Sequence, residues 1–246
     1  MPSEWNNRSQ KPSHVLVTEY VKFRPKCTEP AELPCSNHPL RPCCGRCFVF
    51  LLWVLLLNLP LDLTGKLLIA MPGMGDPRFD HSVVYLCAHS EDGAMGLIVN
   101  KRASDVTMFD LMEQLDIESE TGKSFLDTSI CCGGPVEQGR GFVLHSPEYH
   151  SQIQTLEVDA AFSMTSTMDV LEDIAKGNGP EKSLLMLGYS GWGAGQLENE
   201  IAMNGWLTAP ATLDLVFDVR ASDKWAAALK SIGVDPIGLS AAAGRA

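Results

Sequence analysis

The sequence predicts an α+β fold built on one core, and three observations favour it. The chain has 246 residues, of which 45% are hydrophobic, and single cores stop growing at about 250–300 residues. Beyond about residue 63, short apolar and β-branched runs are interspersed irregularly with segments of helical spacing. They lack the steady β-α-β alternation that a doubly wound parallel sheet requires. The sequence also shows no repeat of fixed period, which argues against solenoids and propellers.

Residues 1–62 differ in composition from the rest. They carry a net charge of +2 and five of the eight Cys, and seven of the 15 Pro fall within their first 42 residues. Prolines at this density leave no room for a helix and interrupt strand pairing. The apolar run 48–57 is too short to cross a bilayer and starts too far along the chain for a secretory signal. We predict that these residues form an irregular, unstructured extension. The open alternative is that they are upstream sequence translated from a misplaced start, and that the true start lies near Leu61.

A cysteine cluster in this extension has the spacing of a zinc site. Cys35 and His38, followed by Cys44 and Cys47, would supply a Cys3His ligand set. Little apolar sequence lies between these residues to fold around a metal, and two further cysteines are surplus. We therefore expect no metal site here and no cofactor.

The first elements after residue 63 follow from short sequence signals. The apolar run 66–71 is closed by a Pro-Gly pair and predicts a buried strand. The runs 82–88 and 93–100 are joined through an Asp-Gly turn, which favours a hairpin. Apolar residues within 107–115 recur at helical spacing, and a Thr and an Asp three positions apart form a capping-box pattern at its start.

The later elements follow the same two periodicities. Apolar or alternating runs predict strands at 129–132, 141–145, 154–158, 161–164, 183–188 and 213–217. Helical spacing predicts helices at 168–175, 195–203 and 222–232. Gly177 and Gly233 follow the first and last of these helices as terminators.

Three catalytic or phosphate-binding signatures are nearly present, and each fails at one position. The sequence around Ser190 starts as a nucleophile elbow, but Trp192 occupies a place that needs a small residue. The glycine run that follows has Gln196 where a dinucleotide-binding loop needs its third Gly. Lys182 follows Glu181, where a phosphate-binding loop needs Gly. No His pair has metal-site spacing, so we assign no catalytic residue and no metal ligand.

Charge argues against direct nucleic-acid binding. Residues 63–246 carry 12 Lys and Arg against 25 Asp and Glu, a net charge of −13. Because phosphate contacts dominate nucleic-acid affinity, this segment would have to bind against its own field. We expect a protein or a small molecule as the partner and no membrane contact, and the oligomeric state stays open.

A set of motifs occurs in one order, without a missing block. The motifs are LLIAMPGMGDPRF at 67–79, SVVYLCAH at 82–89, GAMGLIVN at 93–100, GGPV with GRGFVLH at 133–145, LGYSGWGAGQLENE at 187–200 and NGWL at 204–207. Over about residues 63–246 the chain thereby resembles the AlgH/YqgE family, bacterial proteins largely without an assigned activity, some of them called transcriptional regulators. The resemblance implies a single α+β domain whose strongly bent, bifurcated β-sheet forms a pseudo-barrel with a few flanking helices. It also implies a cytoplasmic location, and it carries over no catalytic residue.

Seven polar or amphipathic residues at predicted strand or helix ends are candidates for ligand binding, because ligands commonly dock at such ends. They are Asn100, Arg140, His145, Tyr189, Trp192, Gln196 and Glu198. We predict that they converge on one pocket, in which Arg140 pairs with Glu198 or with an acidic ligand, in a non-enzymatic binding or regulatory protein. The alternatives are a small-molecule hydrolase that uses His145 with an acid such as Glu198, and a transcriptional regulator.

Overall fold

The structure is a computed structural model that describes residues 62–103, 106–118 and 130–239. Residues 1–61 of the predicted irregular extension, with its Cys and His cluster, lie outside these ranges. Within them, no helix is long and apolar enough to cross a membrane.

The described ranges contain nine strands and four α-helices. The strands are β1 Lys66–Ala70, β2 Val83–Ser90, β3 Gly93–Ile98, β4 Cys131–Cys132, β5 Val136–His145, β6 Leu156–Glu157, β7 Ser163–Thr165, β8 Ser183–Gly193 and β9 Trp206–Pro210. The α-helices are α1 Met108–Gln114, α2 Asp169–Ala175, α3 Gln196–Ala202 and α4 Ala221–Ser231. A π-helix spans Asp214–Asp218, and single 3-10 turns span Pro77–Phe79 and Pro236–Gly238.

All nine strands belong to one sheet, in which eight follow the order β6-β7-β5-β8-β3-β2-β1-β9 and β4 lies off this path. Neighbours on this path are antiparallel, and the short β4 pairs parallel with β8. The sheet curls into a half-barrel with a few helices against it. The predicted α+β class with a strongly bent, bifurcated sheet is confirmed.

The sheet divides at β8, because the two ends of this strand have different neighbours. Up to Leu187, β8 lies between β5 on one edge and β4 on the other. Beyond Gly188, residues 190–193 pair with β3. On the β5 edge the pairing stops where Val136 lies opposite Tyr189. The end of β8 therefore has a strand on only one edge within the described ranges.

Two glycines let the chain cross the backbone of β8. Because β4 and β5 pair with opposite edges of β8, the connection at 133–135 must pass over it. A Cβ on Gly134 would lie 2.1 Å from the carbonyl carbon of Tyr189, and one on Gly133 would lie 2.2 Å from the carbonyl oxygen of Gly188. No side chain fits at such distances, so close backbone approach requires the Gly-Gly pair at this crossing.

β1 is buried on both faces, since each face carries its own apolar cluster. Leu67 lies in the larger cluster, together with Leu229 of α4. Leu68 points the other way and shares a cluster with Trp206 and with Leu197 of α3. Full burial of a Leu side chain contributes about 1.5–3 kcal/mol, and this is why an uninterrupted apolar run, without alternation, forms β1.

One predicted strand is wrong, and one observed strand has no counterpart among the predictions. Residues 213–217 form most of the π-helix, in which the Val219 N–H donates to the Asp214 carbonyl. A short apolar run fits a strand or a buried helix equally well, and here the Thr212 hydroxyl accepts from the Leu215 N–H and starts a helical turn. The observed strand without a predicted counterpart is β9. It lies at an end of the sheet path, and at such an edge its terminal Pro210 is tolerated.

Candidate functional site

A cleft of about 520 Å³ opens beside the unpaired edge of β8. Its walls come from the 71–79 segment after β1, from Pro135 and Val136 at the start of β5, and from the end of β8 with α3. Residues 203–205, between α3 and β9, close it. Elements distant in the sequence therefore meet at one end of the sheet.

Glu200 organises the wall of the cleft. Its Oε2 accepts hydrogen bonds from the indole N–H groups of Trp192, at 2.9 Å, and Trp206, at 2.8 Å. Its Oε1 accepts from the Gln196 amide at 2.9 Å. A half-buried carboxylate with three donors is held in one orientation, because moving it would leave two indole N–H groups without partners.

An aromatic group continues this wall. The Trp192 and Trp206 rings meet edge to face with centroids 5.8 Å apart. Phe79 lies 5.5 Å from Trp206, also edge to face. Such pairs contribute about 0.5–1.5 kcal/mol beyond their buried area. Trp192 and Phe79 line the cleft directly, and these ring contacts make the aromatic side chains rigid, whereas methionine side chains are flexible and adapt to what they contact.

Three methionines and one ion pair complete the lining. Met71, Met74 and Met203 contribute thioether side chains, and Met203 is 70% exposed. Arg78 and Asp76 form an ion pair with an N–O distance of 2.7 Å. The hydrogen bond from Arg78 holds the pKa of the Asp76 carboxyl below its usual value, so Asp76 is a poor proton acceptor at neutral pH.

The free edge of β8 forms one border of the cleft. The Gly193 N–H donates to Gln196 Oε1 at 3.1 Å, so it points away from β3. The peptide groups of successive residues in a strand point to alternate edges. The N–H and C=O of Gly191, two residues before Gly193, therefore point away from β3 as well. Gly191 is exposed, and in the described part of the chain its N–H has no backbone partner on that edge. The cleft thus combines apolar surface with an available peptide group.

Of the seven residues predicted to form a pocket, the structure brings two to this cleft. Trp192 and Gln196 line it. The other five do not line it, so the prediction that all seven converge on one cavity needs correction. The physical reason is that strand and helix ends occur at both ends of a curled sheet, and the sequence does not show which ends coincide.

His145 is a buried structural residue. It is 0% exposed, its Nδ1–H donates to the Ser146 carbonyl at 2.8 Å, and its Nε2 accepts from the Thr165 hydroxyl at 3.0 Å. Because a carbonyl can only accept, the Ser146 contact places a proton on Nδ1, and in the neutral ring Nε2 is then the acceptor. Burial lowers the pKa of His145, which agrees with the neutral form.

Glu198 pairs with a different histidine. Its Oε1 lies 2.8 Å from Nε2 of His89, whose Nδ1 accepts from the Leu63 N–H at 3.1 Å. A backbone hydrogen bond, with a smaller contribution from His89, lowers the pKa of Glu198. His145 lies opposite Ser183 at the start of β8, and Glu198 follows the end of β8. These two side chains therefore do not form the predicted His/acid pair.

The three remaining candidates have local roles. Asn100 accepts from the Val83 N–H at 2.8 Å and donates to the His81 carbonyl at 2.8 Å, and this fixes the start of β2. Arg140 pairs with Glu137 at 3.4 Å, not with Glu198. It also lies over the Phe142 ring, 5.1 Å from its centroid.

Tyr189 packs against the buried Phe142. The two rings meet edge to face with centroids 5.8 Å apart. Tyr189 lies next to the free edge of β8, where the β5 pairing stops, but it does not line the cleft.

The main residue that sequence reasoning misses is Glu200. Two acidic residues two positions apart on a helix point about 200° apart. The sequence therefore suggests that either Glu198 or Glu200 is a solvent-exposed side chain without a structural role. The structure gives each of them a buried partner on a different side of α3. The two Trp residues of the SGWG and NGWL motifs are the available signal, because buried indole N–H groups need acceptors.

The lining limits what chemistry the cleft can perform. Among the described residues that line it there is no Ser, Thr, Cys, His, Lys or Tyr. Its two carboxylates, Asp76 and Glu200, are both engaged in hydrogen bonds. Within the described ranges, no group of three or more His, Cys, Asp or Glu could hold a metal ion. The arrangement suits binding more readily than acid–base or nucleophilic chemistry.

Comparison with known proteins extends this description to a family. A family model described as AlgH-like matches residues 67–237. A UPF0301 protein of Ruegeria pomeroyi is 60% identical over 186 residues, which covers 76% of this chain and 100% of the relative. A UPF0301 protein of Jannaschia is 58% identical and covers 75% of this chain and 96% of the relative.

Solved structures agree with the sequence relatives. The solution structure of AlgH from Pseudomonas aeruginosa superposes with a TM-score of 0.62 at 43% identity and covers 72% of this chain and 93% of that protein. A crystal structure of a Corynebacterium diphtheriae protein shares the fold, with a TM-score of 0.54 at 22% identity over 70% of this chain and 87% of the other. The motifs, the bifurcated sheet and the full-length relatives lead to one conclusion: the chain belongs to the AlgH-like family.

Proposed function

We propose that the protein is a non-enzymatic binding protein, and that the cleft beside Trp192 and Trp206 is its binding site. The single observation that carries this proposal is the Glu200 network. In it, three hydrogen bonds from Trp192, Gln196 and Trp206 to Glu200 hold the wall of an open cleft in place. A wall fixed before the ligand arrives lowers the entropy lost on binding.

The chemistry of the lining supports binding through apolar contact with a few polar contacts. Met71, Met74 and Met203 offer adaptable apolar surface. Arg78 and Asp76 at the same cleft offer charged groups that already satisfy each other. Binding sites for small molecules and peptide segments commonly have this composition.

A ligand screen with two matched variants tests the proposal. Met203→Trp fills the cleft from its rim, and Ile153→Trp makes the same change at a residue that is equally exposed, at 70%, but does not line the cleft. We expect compounds that stabilise the wild type saturably, by about 2.7 kcal/mol at 100 times Kd. They should bind Met203→Trp at least tenfold more weakly and Ile153→Trp unchanged.

Methyl NMR of the methionines locates the binding. Ligands of the cleft should shift the methyl signals of Met71 and Met74. Ligands that stabilise both Trp variants equally, without moving these signals, would show that binding occurs elsewhere and would refute the proposal.

The two alternatives have weaker support. A hydrolase using His145 with Glu198 lacks the required proximity, because each has a different partner at a different end of β8. A transcriptional regulator that contacts DNA would bind against the net charge of −13 in residues 63–246. For this alternative we expect no DNA binding at low salt.

We also propose a cytoplasmic location. Cys87, Cys131 and Cys132 are free thiols in the structure, and unpaired cysteines are typical of a reducing compartment. Fractionation of cells that produce the chain tests this, and recovery of the protein outside the cytoplasm would contradict it.

A further inference from the structure

The end of β8 provides an edge to which another strand could be added. Residues 190–193 pair with β3 on one side only, and on the other side β5 stops opposite Tyr189. Gly191, which is exposed, directs its N–H and C=O to that open side. Unpaired strand edges are sites for pairing with another chain, and natural sheets normally cover or shorten them.

A carboxamide side chain already occupies the neighbouring position on this edge. Gln196 Oε1 accepts from the Gly193 N–H at 3.1 Å, and its Nε2 donates to Glu200 at 2.9 Å. A carboxamide has the same acceptor and donor as a peptide group. The edge is therefore satisfied at Gly193 by a side chain that imitates a strand and is open at Gly191.

The surroundings of the edge determine what side chains an added strand would carry. Alternate residues of a strand face opposite sides, so one set would enter the cleft against Met74, Met203 and the aromatic wall. The cleft charges are Asp76 and Glu200 against Arg78, a net charge of −1. Because residues 63–246 carry a net charge of −13, basic groups are favoured on the other set.

We propose that the cleft binds an extended peptide segment of a partner protein, with apolar and basic residues, by strand addition to Gly191 on the free edge of β8. This inference rests on the binding function proposed above and names the class of ligand. The partner's main chain pairs with the Gly191 N–H and C=O, and its apolar side chains enter the cleft. Main-chain pairing provides the affinity and the cleft provides the specificity.

Two variants of Gly191 separate strand addition from other binding. Gly191→Pro removes the N–H that pairs with the peptide, and Gly191→Ala keeps it while adding a Cβ. That Cβ would lie 3.3 Å from the Tyr189 ring, a side chain that can move. Proline is tolerated at strand edges where the N–H has no partner, so we expect both variants to fold.

The probes are peptides selected from a random 12-residue library on the full chain. For those that compete with one another and fail on Met203→Trp, we expect Gly191→Pro to weaken binding at least tenfold and Gly191→Ala to weaken it less than threefold. N-methylation of alternate peptide amides should have the same effect as proline. Hydrogen exchange of the Gly191 amide should slow at least tenfold on binding.

Each other result has a definite meaning. Peptides that depend on Met203 but tolerate both N-methylation and Gly191→Pro would overturn strand addition and leave the cleft as a binding site. Small molecules that bind the cleft when no peptide does would have the same consequence. If neither peptides nor small molecules depend on Met203, both this inference and the proposed function fail. Should Gly191→Pro not fold, N-methylation and hydrogen exchange decide the matter.

Discussion

The sheet has a hydrogen-bond network around His145 at one end and another around Glu200 at the other end. In both, one side chain connects several partners, but the surroundings of the two networks differ. At one end, His145 connects Ser146 with Thr165 and is fully enclosed. At the other end, Glu200 connects two tryptophans with Gln196 and forms the wall of an open cleft. Both sets of hydrogen bonds are satisfied inside the protein. The comparison teaches that satisfied hydrogen bonds do not by themselves indicate a binding site, and that the Glu200 network differs in lying beside a free strand edge and an open cleft.

The largest expected effect concerns the crossing that separates these two regions. In Gly134→Ala the new Cβ would lie 2.1 Å from the Tyr189 carbonyl carbon, and neither backbone segment can move away without breaking the pairing of β8. We expect a loss of about 3 kcal/mol or more, or failure to fold. Gly139→Ala is the matched control, because nothing lies within 4 Å of its Cβ. Equal stability of the two variants in urea unfolding would show that the crossing is not tight.

The second prediction concerns Glu200 itself. Glu200→Ala leaves the indole N–H groups of Trp192 and Trp206 without an acceptor, and each such loss costs about 1–3 kcal/mol. We therefore expect a loss of about 2–6 kcal/mol in the free energy of unfolding, with much weaker ligand binding at the cleft. Glu198 lies on the same helix as Glu200 and has one contact, to His89 of β2. Glu198→Ala should therefore reduce the free energy of unfolding less than Glu200→Ala does. If Glu198→Ala is the more destabilising change, the Glu200 network does not organise this end of the sheet.

Local sequence signals predict the elements of this fold well, and the reason is physical. The capping box of Thr107 and Asp110 is present as the pattern indicates. The β2-β3 hairpin has Ser90 opposite Gly93, as its turn residues indicate. These features depend on neighbours within a few residues. The strand predicted at 213–217 is wrong, because a short apolar run fits a strand or a buried helix and this one forms most of a π-helix.

The candidate site depends on contacts that local patterns do not contain. Trp192 and Gln196 line the cleft because Trp192 lies near the end of β8 and Gln196 begins α3 shortly after it. His145 and Asn100 carry equally suitable chemistry, but His145 is fully buried and Asn100 is held by the backbone of Val83 and His81. Which strand ends share a cavity is decided by the crossing at Gly134 and by where β5 stops. A single sequence shows the glycines of the crossing and the apolar run of β5, but it does not show which segments of β8 they lie against.

A pH experiment sharpens the comparison from the His145 end. Burial lowers the pKa of His145 in the folded state, so the unfolded chain takes up this proton first as pH falls. The stability that the neutral ring contributes is complete above about pH 6.5, the ordinary value, and is lost as pH falls below it. His145→Gln should reduce the slope of the unfolding free energy with pH, in the range below about pH 6.5, by up to about 1.4 kcal/mol per pH unit. An unchanged slope in urea unfolding would mean that the ring is already protonated in the folded protein.

The smallest expected effect concerns Arg140, a residue between the two ends. Its side chain is 44% exposed, and its partners are Glu137 at 3.4 Å and the Phe142 ring at 5.1 Å. An exposed ion pair and a surface cation–π contact each contribute at most about 1 kcal/mol. Arg140→Ala should therefore lower the free energy of unfolding by about 1 kcal/mol, and Arg140→Lys, which keeps the charge, by less. Neither variant should weaken a ligand of the cleft, because Arg140 does not line it. A tenfold loss of such binding in Arg140→Ala would show that the site extends along β5 towards His145, and that the two ends of the sheet act together.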